Sequence, residues 1–139
     1  MAENIDNRET LLLVDDNPTN LQVLRQALQG MDCKMLFAKN GERALSIAAE
    51  GHPSLILLDI MMPGIDGFEV CRRLKSDAAT EDIPVIFLSA LVDTQDKVKG
   101  LQLGAVDYVS KPFQPEEVKA RVDTHLTIHR LRREVQDQK

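Results

Sequence analysis

Tryptophan is absent from this chain, tyrosine occurs once, at Tyr108, and cysteine only twice. Cys33 and Cys71 form no CxxC pair or other ligand spacing, and both fall in apolar stretches. That is the pattern of reduced structural thiols in a cytosolic protein. An excess of positive charge is lacking too: 17 Lys and Arg against 22 Asp and Glu leave a net charge of −5. This argues against a nucleic-acid surface spread over the whole chain. No apolar run approaches the length needed to cross a bilayer, and the polar, acidic start from Met1 to Glu9 has no signal-peptide core. The expectation is a cytoplasmic protein with no membrane contact and no direct nucleic-acid contact. Neither Pro nor Gly occurs after Pro115, so nothing there stops a helix. What is present, 139 residues at 43% hydrophobic and 28% charged, suits one globular domain with a real core.

Against that ordinary background, one run stands out. Leu55-Ile56-Leu57-Leu58 is aliphatic without alternation, as in a strand buried on both faces of a parallel sheet. It ends in Asp59. A carboxylate within such a strand would be costly to bury, but at its C-terminal end it projects into the crevice where open α/β sheets bind ligands. Leu11-Leu12-Leu13-Val14 repeats the pattern and ends in Asp15-Asp16. Asn17-Pro18 then supplies an N-cap and a first-turn proline for a helix from Thr19 to about Gln29, with Gly30 as its stop. Three carboxylates at one sheet edge repel one another unless a cation sits among them. Oxygen ligands alone favour a hard ion such as Mg²⁺.

The alternation continues. Lys34 to Ala38 is a short strand, and Asn40-Gly41 opens a helix through Ala44, Leu45 and Ile47 to Glu50. Phe68 to Lys75 has helical spacing, and Val85 to Ser89 is a fourth strand. Thr94 is expected to cap a helix from Gln95 to about Leu103, which Gly104 closes. Asp107 to Ser110 is a fifth strand, and a last helix starts at about Glu116. Five β-α repeats with short connections predict a parallel sheet with helices on both faces.

Right-handed crossovers put all strand ends on one edge, so Ser89 and Lys111 join the three acids there. Asp15, Asp16 and Asp59 carry −3, while Lys111 with Mg²⁺ carries +3. A cation, an ammonium and a hydroxyl donor are the usual parts for stabilising a transferring phosphoryl group. One carboxylate is then left to act as the nucleophile and form an acyl phosphate.

These segments resemble the receiver domain of bacterial two-component response regulators, with a chemotaxis-regulator-like organisation. The likeness rests on Leu12 to Asp16, Leu57 to Gly67, Pro84 to Ala90 and Gly104 to Phe113. It implies a flavodoxin-like, doubly wound five-stranded sheet, order 2-1-3-4-5, with five helices and the last one extended. It further implies a phosphoprotein that accepts a phosphoryl group from a sensor histidine kinase, or from a phosphotransfer protein, on Asp59. Asp16, Asp59 and the main-chain carbonyl of Met61 would hold Mg²⁺, with Mn²⁺ as a substitute and Asp15 acting mainly through water. Ser89 and Lys111 would each bond a phosphoryl oxygen. Tyr108 matches the switch aromatic, and the Lys111-Pro112 bond is expected to be cis. Such a chain is not an enzyme beyond its own phosphoryl transfer and autodephosphorylation.

The likeness implies a flexible segment over residues 1–9, a receiver over 10–127, and a helical extension or the start of a linker over 128–139. Ile128, Leu131 and Val135, spaced three then four apart, begin a coiled-coil seam too short to pair strongly. This points to a weak homodimer through the last helix and to an output domain beyond it. The alternative is a stand-alone phosphorelay or interaction receiver that acts on a separate effector. His125 and His129 at i, i+4 lack an evident third ligand and are expected to be solvated or packed. A phosphatase with an aspartyl-phosphate intermediate would carry an acid where Met61 stands, and a flavin protein would not place Asp15-Asp16 where phosphate must sit.

Overall fold

The computed structural model describes residues 8–90 and 94–137. Apolar runs and amphipathic stretches alternate as ten elements: β1 (Glu9–Val14), α1 (Pro18–Ala27), β2 (Cys33–Ala38), α2 (Gly41–Gly51), β3 (Leu55–Asp59), α3 (Gly67–Lys75), β4 (Val85–Ser89), α4 (Thr94–Gln102), β5 (Asp107–Ser110) and α5 (Pro115–Asp137). All strand pairs are parallel, in the order β2-β1-β3-β4-β5. This is the flavodoxin-like, doubly wound fold the motifs imply.

The period of two along each strand divides the core into two layers. Leu12, Val14, Ile56, Leu58, Val85 and Phe87 face α2 and α3, packing on Ala44, Ala48, Val70, Cys71 and Leu74. Leu11, Leu13, Leu55, Leu57, Ile86 and Leu88 face α1 and α5, packing on Leu21, Leu24, Leu28, Val118, Val122 and Leu126. Every residue of β3 is buried, which is why its sequence shows no polar alternation. Each such Leu or Ile contributes roughly 1.5–3 kcal/mol relative to exposure. That rigid slab fixes what projects from its C-terminal edge.

Local chemistry sets the helix starts. Asn17, Asn40 and Asp66 each accept a hydrogen bond from a first-turn N–H, of Thr19, Arg43 and Glu69 respectively, satisfying donors that have no partner within the helix. Some ends differ from the sequence expectation. α1 stops at Ala27 with Leu28 as its cap, short of Gln29, and Gly30 at φ 99° serves the turn beyond it. Thr94 is already helical, and any capping by its side chain lies outside the described residues. α5 begins at Pro115 and continues without a break to Asp137. Of the segment expected to be flexible, Met1 to Asn7 lie outside the described residues, whereas Glu9 is the first residue of β1 and pairs with Cys33.

Candidate functional site

β1 and β3 run in register, Val14 beside Leu58, so Asp15 and Asp59 leave the sheet at the same edge. Asp15, Asp16 and Asp59 each bring a carboxylate oxygen, and the three lie within 4.8 Å of one another. Their environments differ. Asp15 is fully buried, Asp59 is 3% exposed, and Asp16 is exposed. From the end of β5, Lys111 Nζ reaches 3.1 Å from Asp59 Oδ1 and 3.2 Å from Asp15 Oδ2. Its backbone N–H donates to Ser89 O at 2.7 Å, which ties the ends of β4 and β5 together and sets where the ammonium starts.

Two buried carboxylates thus face one ammonium. Burial, and then the charge of Asp15, push the Asp59 carboxyl up to about 6, against the pull of Lys111 and of the Met61 backbone N–H. Lys111 is affected in the opposite sense: burial works against its charge, but Asp59 and Asp15 outweigh it and raise its pKa. Asp15 Oδ1 accepts from the Asn17 N–H at 3.0 Å. Its Oδ2, although close to the ammonium, has no aligned hydrogen bond. A buried carboxylate oxygen left in that state costs free energy. The buried Asp15 oxygen whose one partner is the shared ammonium, the surplus negative charge and the oxygen-only donor set fit a hard divalent ion such as Mg²⁺.

The β3–α3 connection closes over this corner. Met62 turns into the core, while the Met61 side chain is 76% exposed. Gly67 donates its N–H to Ile60 O at 2.8 Å. A Cβ at Gly67 would overlap the Asp59 carbonyl oxygen and lie 2.8 Å from Ile60 Cα. Both contacts are backbone, so neither can rotate away, and only glycine lets the loop fold back beneath the acid. The close approach is made across the seven irregular residues between Asp59 and Gly67 and leaves no local signal.

Ser89 is half-buried at the end of β4. With Ile60, Phe87, Ala105 and Tyr108 it lines a cleft under α4 with about 10 Å³ of space open to water. Tyr108 is itself half-buried, with Lys97 Nζ 4.3 Å from its ring centroid. The Lys111-Pro112 peptide is cis. His125 lies on α5 and is engaged elsewhere: its Nε2 is 3.0 Å from Asp107 Oδ2, a carboxylate that also accepts from Arg121.

Residues 11–123 match the family described as the response regulator receiver domain. The chain belongs to that family. It is 42% identical over 119 residues to the DNA-binding response regulator MtrA of Mycolicibacterium smegmatis, covering 86% of this chain and 51% of MtrA. To the phosphate regulon transcriptional regulatory protein PhoB of Pseudomonas aeruginosa it is 42% identical over 114 residues, covering 82% of this chain and 50% of PhoB. A crystal structure of a response regulator from Chloroflexus aurantiacus superposes with a TM-score of 0.83 at 36% identity, covering 87% of this chain and 99% of that one. The chain spans about half the length of the curated relatives it matches. As a receiver domain its family role is that of phosphoacceptor in two-component signalling. Receiver domains bind Mg²⁺ at an acidic pocket, and in this chain Asp15, Asp16 and Asp59 form an acidic cluster. No helix among the described residues is long and apolar enough to cross a membrane.

Proposed function

We propose that Asp59 is the phosphoacceptor and that Asp15, Asp16 and Asp59, with the Met61 main-chain carbonyl, hold the Mg²⁺, which Mn²⁺ can replace. The observation that carries this reading is the Lys111 ammonium standing against both Asp59 and Asp15 at the edge where Asp16 joins them. The bound ion would shield negative charge on the incoming phosphoryl group. An Asp59 oxygen attacks phosphorus, the phosphorus–nitrogen bond of a phosphohistidine breaks, and the histidine nitrogen leaves with the bonding pair. Lys111 and the Ser89 hydroxyl each take a phosphoryl oxygen. Autodephosphorylation is the same acyl phosphate opened by water.

The switch proceeds through Ser89 and Tyr108. Phosphorylation replaces the Asp59 carboxylate with a group of roughly −1.5 to −2 charge that carries three strong acceptors. Ser89 moves toward them, and Tyr108 turns into the cleft that both residues line. The phosphoryl donor is a sensor histidine kinase or a phosphotransfer protein, in the cytoplasm. Residues 10–127 form the receiver, and 128–139 lead toward an output domain, of the DNA-binding kind in MtrA. The exposed seam of Ile128, Leu131 and Val135 supports a weak dimer through α5. Incubation with acetyl phosphate and Mg²⁺ followed by intact mass tests the core of the reading. Wild type should gain one phosphoryl group and Asp59→Asn none. Equal behaviour of the two would overturn it. Lys111→Ala should still be phosphorylated but lose the change in amide exchange over residues 104–120.

A further inference from the structure

Helix α4 rests on a row of aromatic rings. Phe87 and Tyr108 are register partners on β4 and β5, so both rings stand on the same face of the sheet. Phe68 of α3 meets Phe87 edge-on, with ring centroids 5.3 Å apart. A Cβ on Gly100 would lie 2.7 Å from Phe87 Cδ2, so the α4 backbone sits directly against that ring. Lys99 Nζ lies 4.4 Å from the centroid of Phe68, and Lys97 Nζ lies 4.3 Å from that of Tyr108. Phe68 and Phe87 belong to the packed core. Tyr108 is only half-buried, at the end of the row, beside a cleft with about 10 Å³ of space open to water. That is room for about one water, and far too little for a phenol ring.

We propose that Lys97 is a positioning residue of the switch: its ammonium, over the face of Tyr108, holds the ring at the mouth of the cleft, and the pair must part before the ring can enter. That role rests on the reading of Tyr108 as the switch residue. An ammonium within about 6 Å of a ring centroid is attracted by the negative face of the ring. Lys97 and Gly100, three residues apart, share one face of α4, so the contact of Gly100 with Phe87 fixes where the Lys97 stem begins. An ammonium drawn inward with the ring would enter a cleft walled by Ile60, Phe87 and Ala105, and burying that charge is costly. The ring must therefore leave Lys97 behind. Ser89, drawn toward the phosphoryl group, opens the cleft, and Lys97 opposes the ring's entry. A pair of this kind shifts a two-state population about two- to fivefold. A ligand that favours the inward state has to overcome that bias, so Lys97 lowers its affinity by the same factor. Lys99 carries no such bias, because the ring beneath it stays in the core.

With one tyrosine and no tryptophan in the chain, intrinsic fluorescence reports on the Tyr108 ring alone. Acrylamide quenching of the full chain, followed through a titration with the phosphoryl mimic beryllofluoride in excess Mg²⁺, tests the role of Lys97. In wild type the ring should become less accessible to quencher as the mimic binds. Lys97→Met keeps a stem over the ring but removes the charge. It should be less accessible before any mimic is added, and should bind beryllofluoride about two- to fivefold more tightly. Lys97→Arg should match wild type, and so should Lys99→Met. A Lys97→Met variant indistinguishable from wild type, an arginine variant that behaves like the methionine one, or the same effect from Lys99→Met would overturn the role of Lys97 and leave Tyr108 as the switch. A wild type that binds the mimic with no change at Tyr108 would instead overturn the switch reading, and the role of Lys97 with it.

Discussion

Replacing Asp59 by asparagine should make the ion-free protein more stable. Asp59 and Asp15 are both buried, and one ammonium faces them. The Asp59 carboxyl ionises at about 6 in the folded chain, against about 3.9 in an unfolded one. At pH 7 that difference places ~3 kcal/mol against the fold. Asparagine keeps the shape and an oxygen for Lys111, and the attraction it gives up is already contained in that raised pKa. The expected net gain is ~2–3 kcal/mol in urea unfolding at pH 7 with chelator present. Because the folded pKa lies above the unfolded one, the wild type should lose stability through this group as pH rises from about 4 to about 6. The variant should not show that component. Saturating Mg²⁺ should narrow or reverse the order, since an ion that binds only the folded state stabilises it by mass action. An asparagine variant less stable than wild type in chelator, with an unchanged denaturant slope, would refute the charge argument.

Gly67→Ala should destabilise the fold by about 1–3 kcal/mol and slow phosphorylation by acetyl phosphate, because the added Cβ meets only backbone beneath Asp59; a neutral effect on both would remove the loop from the site. Asp16→Asn should weaken Mg²⁺ binding more than Asp15→Asn, as judged by titration of each variant, and equal or reversed losses would show the two acids misassigned. For Asp107, burial works to raise the pKa but His125, the Tyr108 N–H and Arg121 outweigh it, so the net direction is down. Its contribution to stability is therefore complete above about pH 4 and lost as pH falls through the folded value. Asp107→Asn should accordingly flatten the decline in stability below about pH 4. Sedimentation at several concentrations should show weak self-association that Leu131→Ser reduces, and a strict monomer in wild type would reduce the α5 extension to a linker.

Order and chemistry of the elements are legible in the chain itself. The aliphatic runs ending in Asp15 and Asp59 mark central strands, because a strand buried on both faces has no polar positions to spare. Asn17-Pro18 marks the start of α1 through cap chemistry that depends on neighbours alone. The absence of Pro and Gly after Pro115 left α5 free to continue to Asp137. Parallel crossovers, with their fixed hand, then send every strand end to one edge, and so the acids, Ser89 and Lys111 are grouped before any distance is known. Tertiary structure decided the rest. Lys111 lies 52 residues from Asp59 in sequence, and its reach to two buried acids depends on strand register and on its bond to Ser89. The raised Asp59 pKa follows from that burial and from no property of the residue alone. Gly67 beneath Asp59 is a meeting of backbone across a loop, which neither periodicity nor capping announces. Periodicity and capping act over a few residues, whereas such encounters are set by how the packed layers close.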